Sequence, residues 1–214
     1  MTARPMLAAL TAAALLSGGC LLKDVTETWY LDENGAVTWV VMEKDVRSDA
    51  QSPADRQTEE LAYYEAVKAE NHPAARGLRM LGAAKVRTRI LRSELPYTVV
   101  TEGRFGNLEE LGQRLITMTG LAGTSVVTRT GNTFEWTFSV RDPHAEDVKP
   151  NEDVQSLMND MDKLQVVLVS GHFESGQLFE ISSDRRVATF DEAQLKDVDE
   201  DATIVLRLKW KIRG

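Results

Sequence analysis

Cysteine and histidine are scarce in this 214-residue sequence, which contains one cysteine and three histidines. A single cysteine cannot form a disulfide bond within the chain, so the stability of the fold must come from packing. His72, His144 and His172 form no ligand-spaced pair such as His-Glu-x-x-His. The sequence therefore predicts neither a disulfide scaffold nor a metal site, and we expect no cofactor.

The sequence also lacks internal repeats, low-complexity segments and any long apolar run after its first twenty residues. Its composition, 43% hydrophobic and 27% charged, is typical of a globular protein. The formal net charge is −8. Because an acidic surface does not attract phosphate backbones, nucleic-acid binding is disfavoured.

The first nineteen residues contain the three parts of a secretory signal. Arg4 supplies a positive charge, an apolar run covers residues 7–16, and Ser17-Gly18-Gly19 precede Cys20. The run is too short to span a bilayer as a mature helix. We expect residues 1–19 to be removed, which leaves 24 basic and 33 acidic residues and a net charge of −9. Residues 20–214 are expected to form one domain.

The segment that ends at Cys20 resembles the lipobox recognised by lipoprotein signal peptidase. Leu16 lies four residues before Cys20, and Ser17 stands where leucine is usual. The resemblance implies a bacterial lipoprotein in which the Cys20 sulfur carries a diacylglyceryl thioether. Two or three acyl chains would hold the protein on a membrane far more firmly than one chain does.

This anchor predicts a location in the cell envelope. An inner-membrane retention signal in many Gram-negative bacteria would place aspartate directly after the cysteine, whereas this chain has Leu21. The outer membrane is therefore favoured if the source is Gram-negative. The predicted partner is the membrane itself, through the N-terminal lipid.

Runs of β-branched and aromatic residues predict a chain rich in strands. The predicted strands cover residues 24–31, 36–46, 85–91, 97–105, 124–130, 133–141, 166–173, 177–182, 187–190 and 203–212. Asn34-Gly35 and Gly131-Asn132 predict tight hairpin turns. Because the first strand begins almost at Cys20, we expect the domain to lie close to the membrane.

Three amphipathic helices are predicted between these strands. The first begins at Ser52-Pro53 and runs to about Asn71, with one face marked by Leu61, Tyr64 and Val67 or Lys68. Asn107 caps the second helix, and the third covers residues 154–164. A short helical piece is also predicted near residues 74–81. The pattern predicts an α+β fold with a predominantly antiparallel sheet and about three helices packed on it.

Several polar groups are candidate sites by residue type and spacing. The loop around His144 gathers one imidazole and three carboxylates, and Glu174 with Glu180 has the residue types of a glycosidase acid pair. Ser170 and His172 place a hydroxyl near an imidazole, but no Gly-x-Ser-x-Gly elbow is present. Asp197, Asp199 and Asp201 have EF-hand spacing without the glycine and glutamate that such a loop needs. All of these are more simply interpreted as surface groups.

Two further residue sets have structural interpretations. The four tryptophans lie in predicted strands and are assigned to the core: Trp29, Trp39, Trp136 and Trp210. A local basic stripe is interpreted as a solvated strand face or edge: Lys85, Arg87, Arg89 and Arg92. The functional alternative for this stripe is contact with lipid phosphates or an acidic partner.

The chain resembles the LppM-type lipoproteins of bacterial envelopes in the order of its elements. A lipobox, a hairpin, a helix and strands come first, and the segment Phe105–Leu111 follows them. The similarity extends to residues 169–172 ahead of Gly176 and the final strand. The resemblance implies lipid or glycolipid binding rather than catalysis.

Two functional hypotheses follow from the sequence. The first is a non-enzymatic envelope lipoprotein whose α+β domain binds a partner protein or a lipid-like ligand near the membrane. The second is a hydrolase of envelope polymer that uses acidic residues or the loop around His144.

Overall fold

The computed structural model describes residues 21–141, 151–159, 164–191, 193 and 202–213. The strands within these ranges are β1 (Leu21–Leu31), β2 (Val37–Ser48), β3 (Lys85–Arg92), β4 (Tyr97–Phe105), β5 (Ala122–Thr130), β6 (Thr133–Arg141), β7 (Gln165–Leu168), β8 (His172–Gln177), β9 (Phe179–Ile181), β10 (Val187–Phe190) and β11 (Ile204–Lys211). The helices are α1 (Pro53–Lys68), α2 (Pro73–Met80), α3 (Leu108–Thr119) and α4 (Glu152–Asn159).

The strands form two sheets. The larger has the order β3-β4-β2-β1-β7-β10-β9, and the smaller has the order β5-β6-β11-β8. Neighbouring strands are antiparallel except for β1 and β7, which pair in parallel. The predicted α+β class with mainly antiparallel sheet is confirmed.

The predicted helix starts are confirmed by their capping hydrogen bonds. The Ser52 hydroxyl accepts from the backbone N–H of Asp55 at 3.1 Å, and the Asn107 side chain accepts from that of Glu110 at 2.7 Å. The predicted buried face of α1 is wrong for Leu61, whose side chain is 56% exposed. Tyr63 is buried instead, because its hydroxyl donates a hydrogen bond to the carboxylate of Glu43 beneath the helix.

Two predicted boundaries are also wrong. The strand predicted over residues 166–173 is two strands, since β7 ends at Leu168 and β8 begins at His172 in the other sheet. Gly171 between them has a φ of 95°, and a Cβ there would lie 2.1 Å from the Lys211 carbonyl oxygen. Leu164, predicted as part of the third helix, is not helical and is buried just before β7.

The main core contains residues of both sheets and of helices α2, α3 and α4, and it includes all four tryptophans, as predicted. The Trp29 ring centroid lies 5.2 Å from that of Trp39 in the same sheet and 6.0 Å from that of Trp136 in the other sheet. Trp210 stacks on Phe134 at 5.3 Å within the smaller sheet. The contact between Trp29 and Trp136 therefore joins the two sheets in the core.

Strand β3 is an edge strand of the larger sheet and carries the predicted basic stripe. Lys85, Arg87, Arg89 and Arg92 are all exposed. Arg89 forms an ion pair with Glu102 on the neighbouring strand β4. Charged side chains along an exposed edge oppose pairing with a strand from another chain, so the stripe suits the predicted solvated edge.

Candidate functional site

A cluster of buried polar side chains lies where α1 and α2 cover the larger sheet. It contains Glu43 from β2, Tyr63 from α1, His72 at the N-cap of α2 and Thr101 from β4. Glu43 is 1% exposed, and His72 and Thr101 are completely buried. Tyr63 belongs to the smaller apolar cluster of the molecule, which these polar groups adjoin. Polar groups at such depth are unusual and are normally hydrogen-bonded.

Glu43 is the centre of this cluster. Its Oε1 accepts from Lys23 Nζ at 2.7 Å, and its Oε2 accepts from the Tyr63 hydroxyl at 3.1 Å. His72 Nε2 lies 3.8 Å from the same Oε2. The Lys23 side chain is 24% exposed, so the cluster reaches solvent on this side. These contacts compensate for the cost of burying the carboxylate.

His72 also contacts Thr101, whose Oγ1 lies 2.8 Å from the imidazole Nε2. Its Nδ1 has no hydrogen-bond partner among the described residues. Burial lowers the pKa of His72 from its ordinary value, and the negative charge of Glu43 opposes this shift. Burial, reinforced by Glu43, raises the pKa of the Tyr63 hydroxyl well above its usual range. Both side chains are therefore neutral near pH 7.

Irregularities in the strands lie beside this cluster. The β1–β2 register shifts between Leu22 and Asp24, which brackets Lys23, and the β2–β4 register shifts between Glu43 and Val46. Asp45 has a φ of 53° in the second bulge. Bulges redirect side chains and are frequent near functional sites.

An open cleft of about 310 Å³ adjoins the cluster. The apolar part of its lining is Leu21, Ala62, Ala66 and Pro73, and the polar part is Glu59, Tyr63, His72 and Arg76. Tyr63 and His72 thus belong to both the cluster and the cleft. Leu21 is the residue that directly follows Cys20 in the sequence.

Helix α2 is fixed beside this cleft by its contact with α4. Arg76 Nη2 donates to Asp153 Oδ1 at 2.6 Å and Arg76 Nε donates to Oδ2 at 2.9 Å, which is a bidentate pair. Gly77 allows the close approach, since a Cβ there would lie 2.7 Å from Leu157 Cδ1 and 2.8 Å from the Asp153 carbonyl oxygen. The cleft is therefore lined by elements held in place by packing and ion pairing.

The candidate residues from the sequence fall in three places. One group lies outside the described residues: Cys20, the loop around His144, and the aspartates at positions 197, 199 and 201. Glu174 lies in the smaller sheet with its Oε2 3.4 Å from Lys209 Nζ, whereas Glu180 is exposed in the larger sheet. Ser170 and the exposed His172 flank the Gly171 turn and do not share a strand.

Glu43 and His72 were missed by the sequence interpretation, although one signal was available. In β2 the buried residues Val37, Trp39 and Val41 alternate with half-buried ones, and Glu43 continues the buried phase. A charged residue in phase with an apolar strand face predicts a buried carboxylate. His72 carries no comparable signal, because it stands in a helix-breaking segment before Pro73.

Two general features of the described residues bear on function. No group of three or more His, Cys, Asp or Glu side chains in the described ranges is placed to hold a metal ion. Among the same residues, no helix combines the length and apolarity needed to cross a membrane.

No protein-family model matches this chain, and comparison with curated proteins gives no match. Among solved structures, the chain is similar to the NMR structure of the folded domain of Mycobacterium tuberculosis LppM, with 10% identity, a TM-score of 0.36, and coverage of 90% of this chain and 91% of that one. It is also similar to the Danio rerio Fcho1 Mu homology domain with bound Eps15 peptide, with 7% identity, a TM-score of 0.28, and coverage of 92% and 80%. Both TM-scores are low, so no property of either protein is carried over to this chain.

Proposed function

We propose that this protein is a non-enzymatic, lipid-anchored envelope protein that binds a lipid-like ligand in the cleft between α1, α2 and the start of β1. The observation that carries the proposal is the position of Leu21, which lines the cleft and directly follows the predicted acylation site Cys20. A cleft at this position would lie beside the bilayer, where lipids are the most concentrated ligands.

The lining suits an amphiphile. A volume of about 310 Å³ lies at the lower end of the range for small-molecule sites, roughly 300–1,000 Å³. Apolar walls with a few fixed polar groups are typical of such sites. An acyl segment would pack against Leu21, Ala62 and Ala66, and a polar end group would meet the partly exposed guanidinium of Arg76.

The electrostatics of the cluster favour binding over proton transfer. A general acid or base works best with a pKa near the working pH. The pKa of His72 is lowered and the pKa of Tyr63 is raised. Both pKa values therefore move away from neutral pH. The Tyr63 hydroxyl is also engaged by Glu43, and the His72 Nε2 by Thr101.

The experiment is native mass spectrometry of the full chain solubilised from membranes, which detects bound lipid directly. Ala66→Trp fills the cleft and is expected to abolish the bound lipid. Leu61→Trp places the same ring on an exposed position of α1 outside the cleft lining and should leave binding unchanged. Equal lipid occupancy in both variants, or recovery of a bound protein and no lipid, would overturn the proposal.

A further inference from the structure

Three exposed leucines lie at the end of the larger sheet where β1 begins. Leu22 is 45% exposed, Leu91 is 58% exposed and Leu95 is 46% exposed. Leu91 is next to the last residue of β3, and Leu95 is in the turn that joins β3 to β4. We call these three residues the leucine end.

The strand register shows that these residues share one end of the sheet. Leu22 in β1 pairs with Arg47 in β2, and the neighbouring Val46 pairs with Tyr97 at the start of β4. Arg92, adjacent to Leu91, pairs with Thr98, adjacent to Tyr97. With neighbouring strands about 4.8 Å apart, the leucine end spans roughly 15 Å from β1 to β3.

The turn that carries Leu95 is held by the chain itself. Arg92 Nη2 donates to the Leu95 carbonyl oxygen at 3.5 Å, which closes the turn between β3 and β4. Leu91 lies where the β3–β4 register shifts between Ile90 and Arg92, so it is the extra residue of a bulge at the edge of the sheet. The positions of Leu91 and Leu95 are therefore set by the bulge and the turn that carry them.

We propose that the leucine end inserts into the interfacial region of the bilayer, so that the larger sheet stands end-on to the membrane. This inference rests on the proposed function, because it uses Cys20 as the acylated residue. Leu21 begins β1, so no linker separates the tether from the folded chain. A tether of that length holds this end, and not the opposite end, at the lipid surface.

The chemistry of this end suits a bilayer interface. Leucine side chains insert at the boundary between headgroups and acyl chains, at a depth of about 5–10 Å for interfacial segments. Arg47 and Arg92 are exposed beside the leucines and can contact lipid phosphates, while Glu94 in the same turn and Asp49 after β2 place acids there. Insertion of the leucines, rather than a strong basic patch, is therefore the main source of attraction.

The opposite end of β1 provides a matched control. Val169 is 57% exposed, and its N–H donates to the Leu31 carbonyl oxygen at the far end of this strand. Ten residue steps separate Leu21 from Leu31, which corresponds to roughly 33 Å of extended strand. Val169 thus matches the leucines in exposure while lying at the other end of the sheet.

The test places a fluorescent label at each end of the full-length protein purified from membranes. Leu95→Cys and Val169→Cys are labelled separately with an NBD thiol reagent and reconstituted in vesicles of phosphatidylethanolamine and phosphatidylglycerol that contain spin-labelled lipids. Quenching is expected to be severalfold stronger at position 95 than at position 169. Equal quenching at both positions, or stronger quenching at position 169, would overturn the proposed orientation.

The same experiment separates this inference from the proposed function. The unsubstituted chain should take up no label, because acylation blocks the Cys20 sulfur. Labelling of the unsubstituted chain would show a free thiol, and both the anchor and the orientation would then be wrong. Blocked Cys20 with equal quenching at positions 95 and 169 would contradict the orientation alone.

Discussion

The hydroxyl of Tyr63 donates a hydrogen bond of 3.1 Å to Oε2 of Glu43, which joins helix α1 to strand β2. Burial of a carboxylate is costly unless hydrogen bonds and a counter-charge replace water. Tyr63 supplies the bond to one oxygen of Glu43, and Lys23 supplies both a bond and a charge to the other. This relationship fixes α1 over the sheet and thereby shapes the cleft.

Removal of this hydrogen bond should destabilise the fold. Tyr63→Phe leaves a buried carboxylate oxygen with fewer donors, and the free energy of unfolding is expected to fall by about 1–3 kcal/mol. Tyr64→Phe removes a hydroxyl from the neighbouring half-buried residue and should cost at most about 0.5 kcal/mol. Urea denaturation of both variants measures the difference, and equal stabilities would contradict a structural role for the Tyr63–Glu43 bond.

His72 should make the stability depend on pH. Burial lowers its pKa below the ordinary value of 6.5, Glu43 raises it, and Lys23, Arg76 and Arg79 lower it further. The unfolded chain therefore binds more protons than the folded chain below about pH 6.5. The free energy of unfolding is expected to decrease as the pH falls from 6.5 towards the folded-state pKa.

Substitution of the histidines isolates this contribution. His72→Gln should flatten the decrease in unfolding free energy below pH 6.5, even though the variant is less stable throughout. His172→Gln changes an exposed histidine and should retain the decrease. Denaturation curves at a series of pH values measure the slopes, and an unchanged slope in His72→Gln would mean that another group titrates.

The contact between α2 and α4 should not tolerate a methyl group at Gly77. Gly77→Ala places a Cβ within 3 Å of Leu157 Cδ1 and the Asp153 carbonyl oxygen. Overpacking of this kind typically costs about 1–3 kcal/mol. Gly106→Ala is the control, because a Cβ there meets no atom within 4 Å. Thermal unfolding compares the two, and a stable Gly77→Ala variant with unchanged melting would show that the helices are not in close contact.

Much of the fold could be predicted from local patterns. Alternation of apolar and polar residues located most strands, as in β6, where Phe134, Trp136, Phe138 and Val140 are buried. Turn and cap residues located the hairpins and helix starts, because these choices depend on the local backbone. The α+β class followed from the short connections between strands.

The remaining features depend on contacts between distant residues. Tyr63 faces inward because Glu43 lies twenty positions earlier on the sheet below it, and no periodicity within α1 indicates this contact. The strand predicted over residues 166–173 is divided where the Gly171 backbone meets the Lys211 carbonyl oxygen. His72 enters the cluster through Thr101, 29 positions later in the chain. Sequence spacing alone carries no information on such pairs.

The proposed membrane tether also predicts a change in fractionation. Cys20→Ala removes the sulfur that would carry the acyl chains. Insertion of the three side chains of the leucine end is much weaker than anchoring by two or three acyl chains. The variant is expected to leave the membrane fraction on washing, whereas the unsubstituted chain stays. Tight association of the variant would mean that another part of the protein holds it on the membrane.

The most direct test of the account is the intact mass of the natural protein extracted from membranes. The account predicts a polypeptide that begins at Cys20 and carries the added mass of a diacylglyceryl group, with or without an amide-linked acyl chain. A polypeptide that still begins at Met1, or a Cys20 with a free thiol, would contradict it.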